Sequence, residues 1–289
     1  MTIDNYFVSL WANMNYTLNC NGRLFSLDEP QVMGILNATP DSFYADSRKQ
    51  TEEDIAGRVH QILDEGGTII DVGACSTRPD AKPATEAEEM ERLRFALAIV
   101  RREASDAIVS VDTFRPQLAR MAVEEYGVSI VNDVGAPVNS PEVTIDSQKD
   151  MFRMVSRLRV PYIYMSRKSN TKDILIDSAE VVDTLRSMGQ KDIIIDPGFG
   201  FGKNVEQNYE VMSGLERLQM LRLPILVALS RKSMIYRLLQ STQEEALTGT
   251  IALNTIALMK GADILRVHDV KEAVDCVKIV KSLEIKDKR

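Results

Sequence analysis

Val32-Met33-Gly34-Ile35-Leu36 and, one helical stretch later, Thr68-Ile69-Ile70-Asp71-Val72 are short apolar runs without the alternation of a half-exposed strand. Continuous apolar runs of this length suit strands buried on both faces, as in a parallel sheet covered by helices. Between them, Ile55, Val59, Ile62 and Leu63 recur at helical spacing, with Thr51 placed to cap the helix and Gly66-Gly67 to end it. Similar runs follow at Ile108–Val111, Ser129–Val131, Tyr162–Met165, Ile193–Ile195, Ile225–Leu229 and Ile264–Val267. Helical patterns lie over Glu86–Arg102, Val205–Leu221, Leu247–Met259 and Lys271–Leu283, and Pro116 suits the first turn of a helix that Gly127 stops. Eight such alternations predict an α/β protein, a single (β/α)8 TIM barrel over residues 31–289. An open doubly wound sheet is the other arrangement with this alternation. Residues 1–30, rich in Asn and aromatics, read as an N-terminal extension, with a short hairpin closing the bottom of the barrel.

The bulk properties agree with one large domain. Barrels of this kind run to about 250 residues, and the chain has 289, of which 44% are hydrophobic and 27% charged. A net charge of -7, with no block of like charges, argues against a nucleic-acid partner. No long apolar stretch predicts a membrane span, and no secretory leader is evident. The three cysteines, Cys20, Cys75 and Cys276, suggest neither a disulfide framework nor a metal site, so a cytoplasmic protein is expected.

Polar residues lie at or near the end of nearly every strand: Asn37, Asp71 within the second run followed by Gly73 and Ser76-Thr77-Arg78-Pro79, Asp112-Thr113, Asn132-Asp133, Asp196-Pro197-Gly198, Ser230-Arg231-Lys232 and Arg266-Val267-His268-Asp269. Any one aspartate there is ordinarily a helix cap. Carboxylates, amides and cations on most of the strand ends exceed what capping requires, and a barrel gathers those ends at one face. Asp112, Asn132 and Asp196 suit the N–H edge of a flat heterocycle, and Lys232 adds a donor. Arg266 can stack on a ring or contact an anion, and barrels commonly hold phosphate beside their last two strands. Gly198–Gly202 lacks the spacing of a dinucleotide loop. His60 reads as a surface residue and Cys75 as a small buried thiol.

Taken in order, Met33–Phe43, Ile69–Gly73 with Ser76–Pro79, Ser110–Thr113, Asn132-Asp133, Asp196–Lys203, Ser230–Ser233 and Arg266–Val270 resemble the motifs of the dihydropteroate synthases. The resemblance runs from Gln31 to the C-terminus. It implies the joining of 4-aminobenzoate to 6-hydroxymethyl-7,8-dihydropterin pyrophosphate through an SN1-like pterin carbocation. Pterin would be held by Asp112, Asn132, Asp196 and Lys232, with Arg266 stacked over the ring. Pyrophosphate would meet Asn37, Arg266 and a charged His268, with Mg2+ bound through Asn37. Asp112, Lys232, Arg266 and His268 would be the catalytic set. Thr77, Arg78, Pro79, Phe201 and Ser233, with Phe43, would line the aminobenzoate pocket. Two loops, about Thr39–Arg48 and Ser76–Ala84, would close over the reactants. The resemblance also implies a homodimer built through outer helices, and sensitivity to sulfonamides.

The chain departs from the family at three places. Ala74-Cys75 stands where a Gly-Glu pair is usual, Met165-Ser166-Arg167 where Met-His-Met is common, and Tyr44-Ala45-Asp46-Ser47 replaces a glycine-rich turn. A pterin-binding methyltransferase domain and a pterin-binding paralogue without activity are the competing readings.

Overall fold

The computed structural model describes residues 16–38, 48–75, 84–136 and 145–284. A hairpin of β1 (Thr17–Cys20) and β2 (Arg23–Ser26) precedes β3 (Gln31–Asn37), β4 (Ile69–Gly73), β5 (Ile108–Asp112), β6 (Ile130–Asp133), β7 (Tyr162–Met165), β8 (Ile193–Asp196), β9 (Leu226–Val227) and β10 (Ile264–Val267). Helices α1 (Arg48–Asp64), α2 (Glu86–Glu103), α3 (Pro116–Tyr126), α4 (Ile145–Leu158), α5 (Thr171–Ser187), α6 (Val205–Ser213), α7 (Ser233–Leu238), α8 (Leu247–Met259) and α9 (Val270–Glu284) alternate with those strands. The parallel sheet runs β8-β7-β6-β5-β4-β3-β10-β9, and a bridge between Ile195 and Ile225 joins its two ends. The barrel therefore closes, and the open-sheet alternative falls.

Side-chain alternation divides the core in two. Met33, Ile69, Ile108, Ile130, Ile163, Ile194, Leu226 and Ile264, one from each barrel strand, form an apolar layer with Leu18, Cys20 and Leu27 from the hairpin region. Their neighbours in sequence, such as Val32, Ile70, Val109 and Val131, pack in a second cluster with helix residues Val59, Leu97 and Leu118. The hairpin thus covers the amino-terminal end of the barrel's interior. Leu18 is buried there. We expect Leu18→Ala to lower unfolding free energy by about 2–5 kcal/mol in a denaturant titration, through lost burial and a residual cavity. Turnover of the folded fraction should be unchanged, since the apolar layer separates Leu18 from the opposite mouth.

Several local expectations need correction. Helix α1 begins at Arg48, so Thr51 lies inside it rather than capping it. Ile55, Val59 and Ile62 are buried, but Leu63 is exposed. Ile62 needs the absence of a side chain at Gly34, where a Cβ would come within 2.7 Å of it. The helical stretch expected over Val205–Leu221 breaks at Gly214, which sits close to Thr171, and continues as a 3-10 helix over Leu215–Leu221. Strand β9 spans Leu226–Val227 rather than Ile225–Leu229, because only those two residues have ladder partners on β10. Pro116 and left-handed Gly127 bound α3 as expected.

Candidate active site

Two residues beyond the apolar layer, the same inward-facing register turns polar: Ile69 is followed by Asp71, Ile108 by Ser110, Ile130 by Asn132, Ile194 by Asp196 and Ile264 by Arg266. Beyond these, Asn37, Gly73 and Asp112 stand side by side in the ladder at the carboxyl ends of β3, β4 and β5. Asn37 is exposed there, its Oδ1 3.8 Å from where a Cβ on Gly73 would lie.

Arg266 crosses the interior. Its Nε donates to Asp71 Oδ2 and its Nη2 to Asp112 Oδ2, each at 2.6 Å. Asn132 Nδ2 donates to the same Asp71 oxygen at 3.1 Å. Burial pushes the Asp112 carboxyl up to about 7, against the opposing pull of Arg266 and with help from Asp71. On the other side of the cavity, burial lowers Lys232 to about 8, while Asp196 favours its charge. Lys232 Nζ donates to the Phe199 carbonyl and lies 4.6 Å from the centre of the Phe201 ring. Burial likewise raises Asp196, opposed first by Lys232, and its Oδ1 accepts the Gly198 N–H at 2.7 Å.

The glycines after β8 make this packing possible. Gly200, at φ +79°, leaves room for the Lys232 stem, and Gly198, at φ +70°, passes against the Ser166 carbonyl. Lys203 Nζ binds the carbonyls of Gly198 (2.8 Å) and Phe201 (3.4 Å), tying the loop to itself. Ser166, where the family commonly has histidine, is fully buried and bonds Asp177.

His268 differs from expectation in charge. Burial and the neighbouring Arg266 depress it to about 4, so at neutral pH it is an uncharged imidazole rather than a cation. Ser230 Oγ accepts the His268 backbone N–H at 3.2 Å and lies 3.0 Å from Nδ1. This suits the tautomer with its proton on Nε2. Arg58 of α1, absent from the expected set, donates to the carbonyls of Ile35 (3.1 Å) and His268 (2.6 Å), joining β3 to β10 at the mouth. Arg231 is held by Asp269 through two bonds of 2.9 Å. Asp133 accepts the Tyr162 hydroxyl at 2.7 Å and the Gly135 N–H at 2.8 Å. These two aspartates have structural duties, as isolated ones usually do.

The expected residues thus separate into groups. Asp112, Asn132 and Arg266 form one bonded set with Asp71, while Asp196 and Lys232 influence each other, and Arg266, electrostatically. Phe201 lies beneath Lys232, and Ser233 begins α7 immediately after it. Thr77, Arg78, Pro79 and Phe43 lie outside the described residues, as does most of each expected loop. The far foot of the second loop is held by a buried pair: Arg115 binds Glu89 and donates to the Ala84 carbonyl at 2.8 Å. Cys75, at the near foot, is half-buried, and burial raises its thiol. His60 is exposed beside Glu103.

Asp71 stands among the polar residues that the sequence brings to the mouth, but the sequence reading gives it no role there. Its signal was present: a lone charge inside an apolar run, where an unpaired carboxylate is untenable. Among the described residues, Asp71 Oδ1, Ser110 Oγ and Asn132 Oδ1 are buried without a hydrogen-bond partner. Each such atom costs about 1–3 kcal/mol unless a polar ligand meets it. No group of three His, Cys, Asp or Glu among the described residues could cage a metal ion. No helix among them is long and apolar enough to cross a membrane.

The profile of a family described as pterin binding enzyme matches residues 33–268. A dihydropteroate synthase of Clostridium beijerinckii is 41% identical over 251 residues, covering 83% of this chain and 89% of that protein. The Escherichia coli K12 dihydropteroate synthase is 34% identical over 289 residues, covering 92% and 95%. Among solved structures, Xanthomonas albilineans dihydropteroate synthase with 4-aminobenzoic acid superposes with a TM-score of 0.83 at 32% identity, covering 93% of this chain and 98% of that one. The same enzyme in complex with 7,8-dihydropteroate gives 0.79 at 31% identity, covering 93% and 99%.

Proposed function

Because this chain belongs to the pterin binding enzymes, and among them to the dihydropteroate synthases, we propose that it condenses 6-hydroxymethyl-7,8-dihydropterin pyrophosphate with 4-aminobenzoate, a transferase step of folate synthesis. The observation that carries this reading is the inner wall itself, where Asn132 and Asp196 are buried and Asp112, Lys232 and Arg266 stand near them at the carboxyl-terminal end of the barrel. Acceptors for ring N–H groups, a lysine donor and an arginine reaching toward the mouth are what a charged pteridine requires.

In the reaction the bond between the pterin methylene carbon and the pyrophosphate oxygen breaks, and its electron pair leaves with pyrophosphate. The cation that remains is stabilised by the carboxylates of Asp112 and Asp196. The aminobenzoate nitrogen then forms the new C–N bond and gives up a proton. Arg266 and His268 donate to the departing oxygens. His268 begins as a neutral donor, and the incoming anion raises its proton affinity. Asn37, an exposed amide oxygen at the mouth, suits Mg2+, which takes one or two protein oxygens and the rest from phosphate and water. When bound, Mg2+ would neutralise charge on the leaving pyrophosphate. Phe201 and Ser233, with Thr77, Arg78 and Pro79 of the second loop, would form the aminobenzoate pocket.

The exposed Ile256, Met259, Ile279 and Leu283 on α8 and α9 offer an apolar surface for a homodimer. Three cysteines without a disulfide fit a reducing cytoplasm.

The test is direct. Purified protein with both substrates and Mg2+ should form dihydropteroate and release pyrophosphate, and sulfonamides should compete with 4-aminobenzoate. Pterin binding with no product would instead mark a non-catalytic paralogue. Methyl transfer from methyltetrahydrofolate to a corrinoid would favour the methyltransferase reading.

The same groups predict a pH profile. Asp112, raised to about 7, loses its carboxylate acceptor as pH falls, and Lys232, lowered to about 8, loses its proton as pH rises. The kcat/KM for the pterin, which reports the uncomplexed enzyme, should be bell-shaped with limbs near those values. Asp112→Asn should remove the acidic limb. A profile without curvature between those limbs would contradict both assignments.

A further inference from the structure

The geometry points to Asp71 as a positioning residue that sets which way the Asn132 amide faces, and hence which ring N–H groups the site accepts. This deepens the pterin-binding reading and rests on it. An amide is nearly symmetrical in shape, so its neighbours decide where its NH2 and its oxygen point. Asp71 is fully buried on the third residue of β4, and Asn132 is fully buried on β6. The carboxylate offers only acceptors, so Asn132 turns its NH2 toward it, at 3.1 Å. The amide oxygen is thereby directed away from Asp71, and it has no partner among the described residues. Arg266 Nε, at 2.6 Å on the same Asp71 oxygen, supplies the charge that keeps the carboxylate in place. A ligand seated here meets Asn132 as an acceptor and must bring an N–H.

The substitution Asp71→Ala removes this constraint, because no acceptor on β4 then holds the Asn132 NH2. Asp71→Asn keeps it: one Asp71 oxygen accepts from both Arg266 Nε and Asn132 Nδ2, and Arg266 holds an amide oxygen in that same place.

The experiment measures binding by calorimetry for wild type, Asp71→Ala and Asp71→Asn. The ligands are 6-hydroxymethyl-7,8-dihydropterin, its oxidised form lacking the N8 proton, its N3-methyl counterpart and its 2-oxo counterpart. Wild type should show at least one donor whose removal weakens binding by about tenfold or more, the loss expected when a buried acceptor goes unmet. In Asp71→Ala that penalty should shrink to less than about threefold, while Asp71→Asn keeps it. A penalty unchanged in Asp71→Ala overturns the inference, as does a penalty lost in Asp71→Asn. Melting curves without ligand report whether each variant is folded. If Asp71→Ala does not fold, Asp71→Leu, which also lacks an acceptor, takes its place and is read in the same way. Failure of wild type to bind any of these pterins would instead refute the functional reading.

Discussion

Arg266→Ala is expected to lower kcat by about a thousandfold, in the range found when a preorganised donor to a developing anion is removed. The variant should also be visibly less stable. From sequence alone turnover is expected to suffer more than the fold, because Arg266 reads there as a substrate contact. The structure makes it in addition, among the described residues, the cation bonded to both Asp71 and Asp112. Removing one member of a buried ionic set costs about 3–5 kcal/mol, reduced here because Asp112 already tends to hold a proton near neutrality. Steady-state kinetics and denaturant unfolding on the same preparation measure both effects. A folded variant with kcat within about tenfold of wild type, far short of the loss of an anion donor, would remove Arg266 from the departure of pyrophosphate. Arg266→Lys should recover stability better than turnover, since an ammonium keeps the charge but not the two-pronged geometry.

The second large effect is expected at Lys232. Its ammonium faces Asp196, donates to the Phe199 carbonyl and lies over Phe201. Lys232→Ala leaves Asp196 buried without that charge, a loss of about 2–5 kcal/mol. Pterin affinity should fall by about thirtyfold or more, measured by calorimetry with the dihydropterin. Because Asp196 can take up a proton instead, part of the loss should be recovered at low pH. Wild-type affinity in the variant would contradict the placement of the ring between Asp196 and Lys232.

How much of the molecule is legible in its sequence differs from element to element. The barrel strands are, because an uninterrupted apolar run of that length suits little besides a strand covered on both faces. Helices α4 and α5 are absent from the sequence reading, although Asn170 caps α5 by accepting the Asp173 N–H at 2.9 Å. The break at Gly214 depends on the proximity of Thr171, a contact between distant segments that no local pattern encodes. Among site residues, those ending strands are found by their position. Asp71 is visible as a charge within an apolar run, but it lies one turn of the pleat deeper, and only the three-dimensional register reveals its role in supporting Arg266 and Asn132. The uncharged state of His268 follows from burial and nearby cations, neither of which a motif expresses.

The hairpin packed beneath Met33, Ile69 and Ile264 leaves the chamber blind at one end. Traffic must then share a single doorway: whatever seats itself at the depth of Asp71 goes in first, and anything lodged above it acts as a stopper. On the proposed seating, heterocycle deep and amine above it, a compulsory sequence of arrival would be inherited from the floor of the barrel, far from any reacting atom.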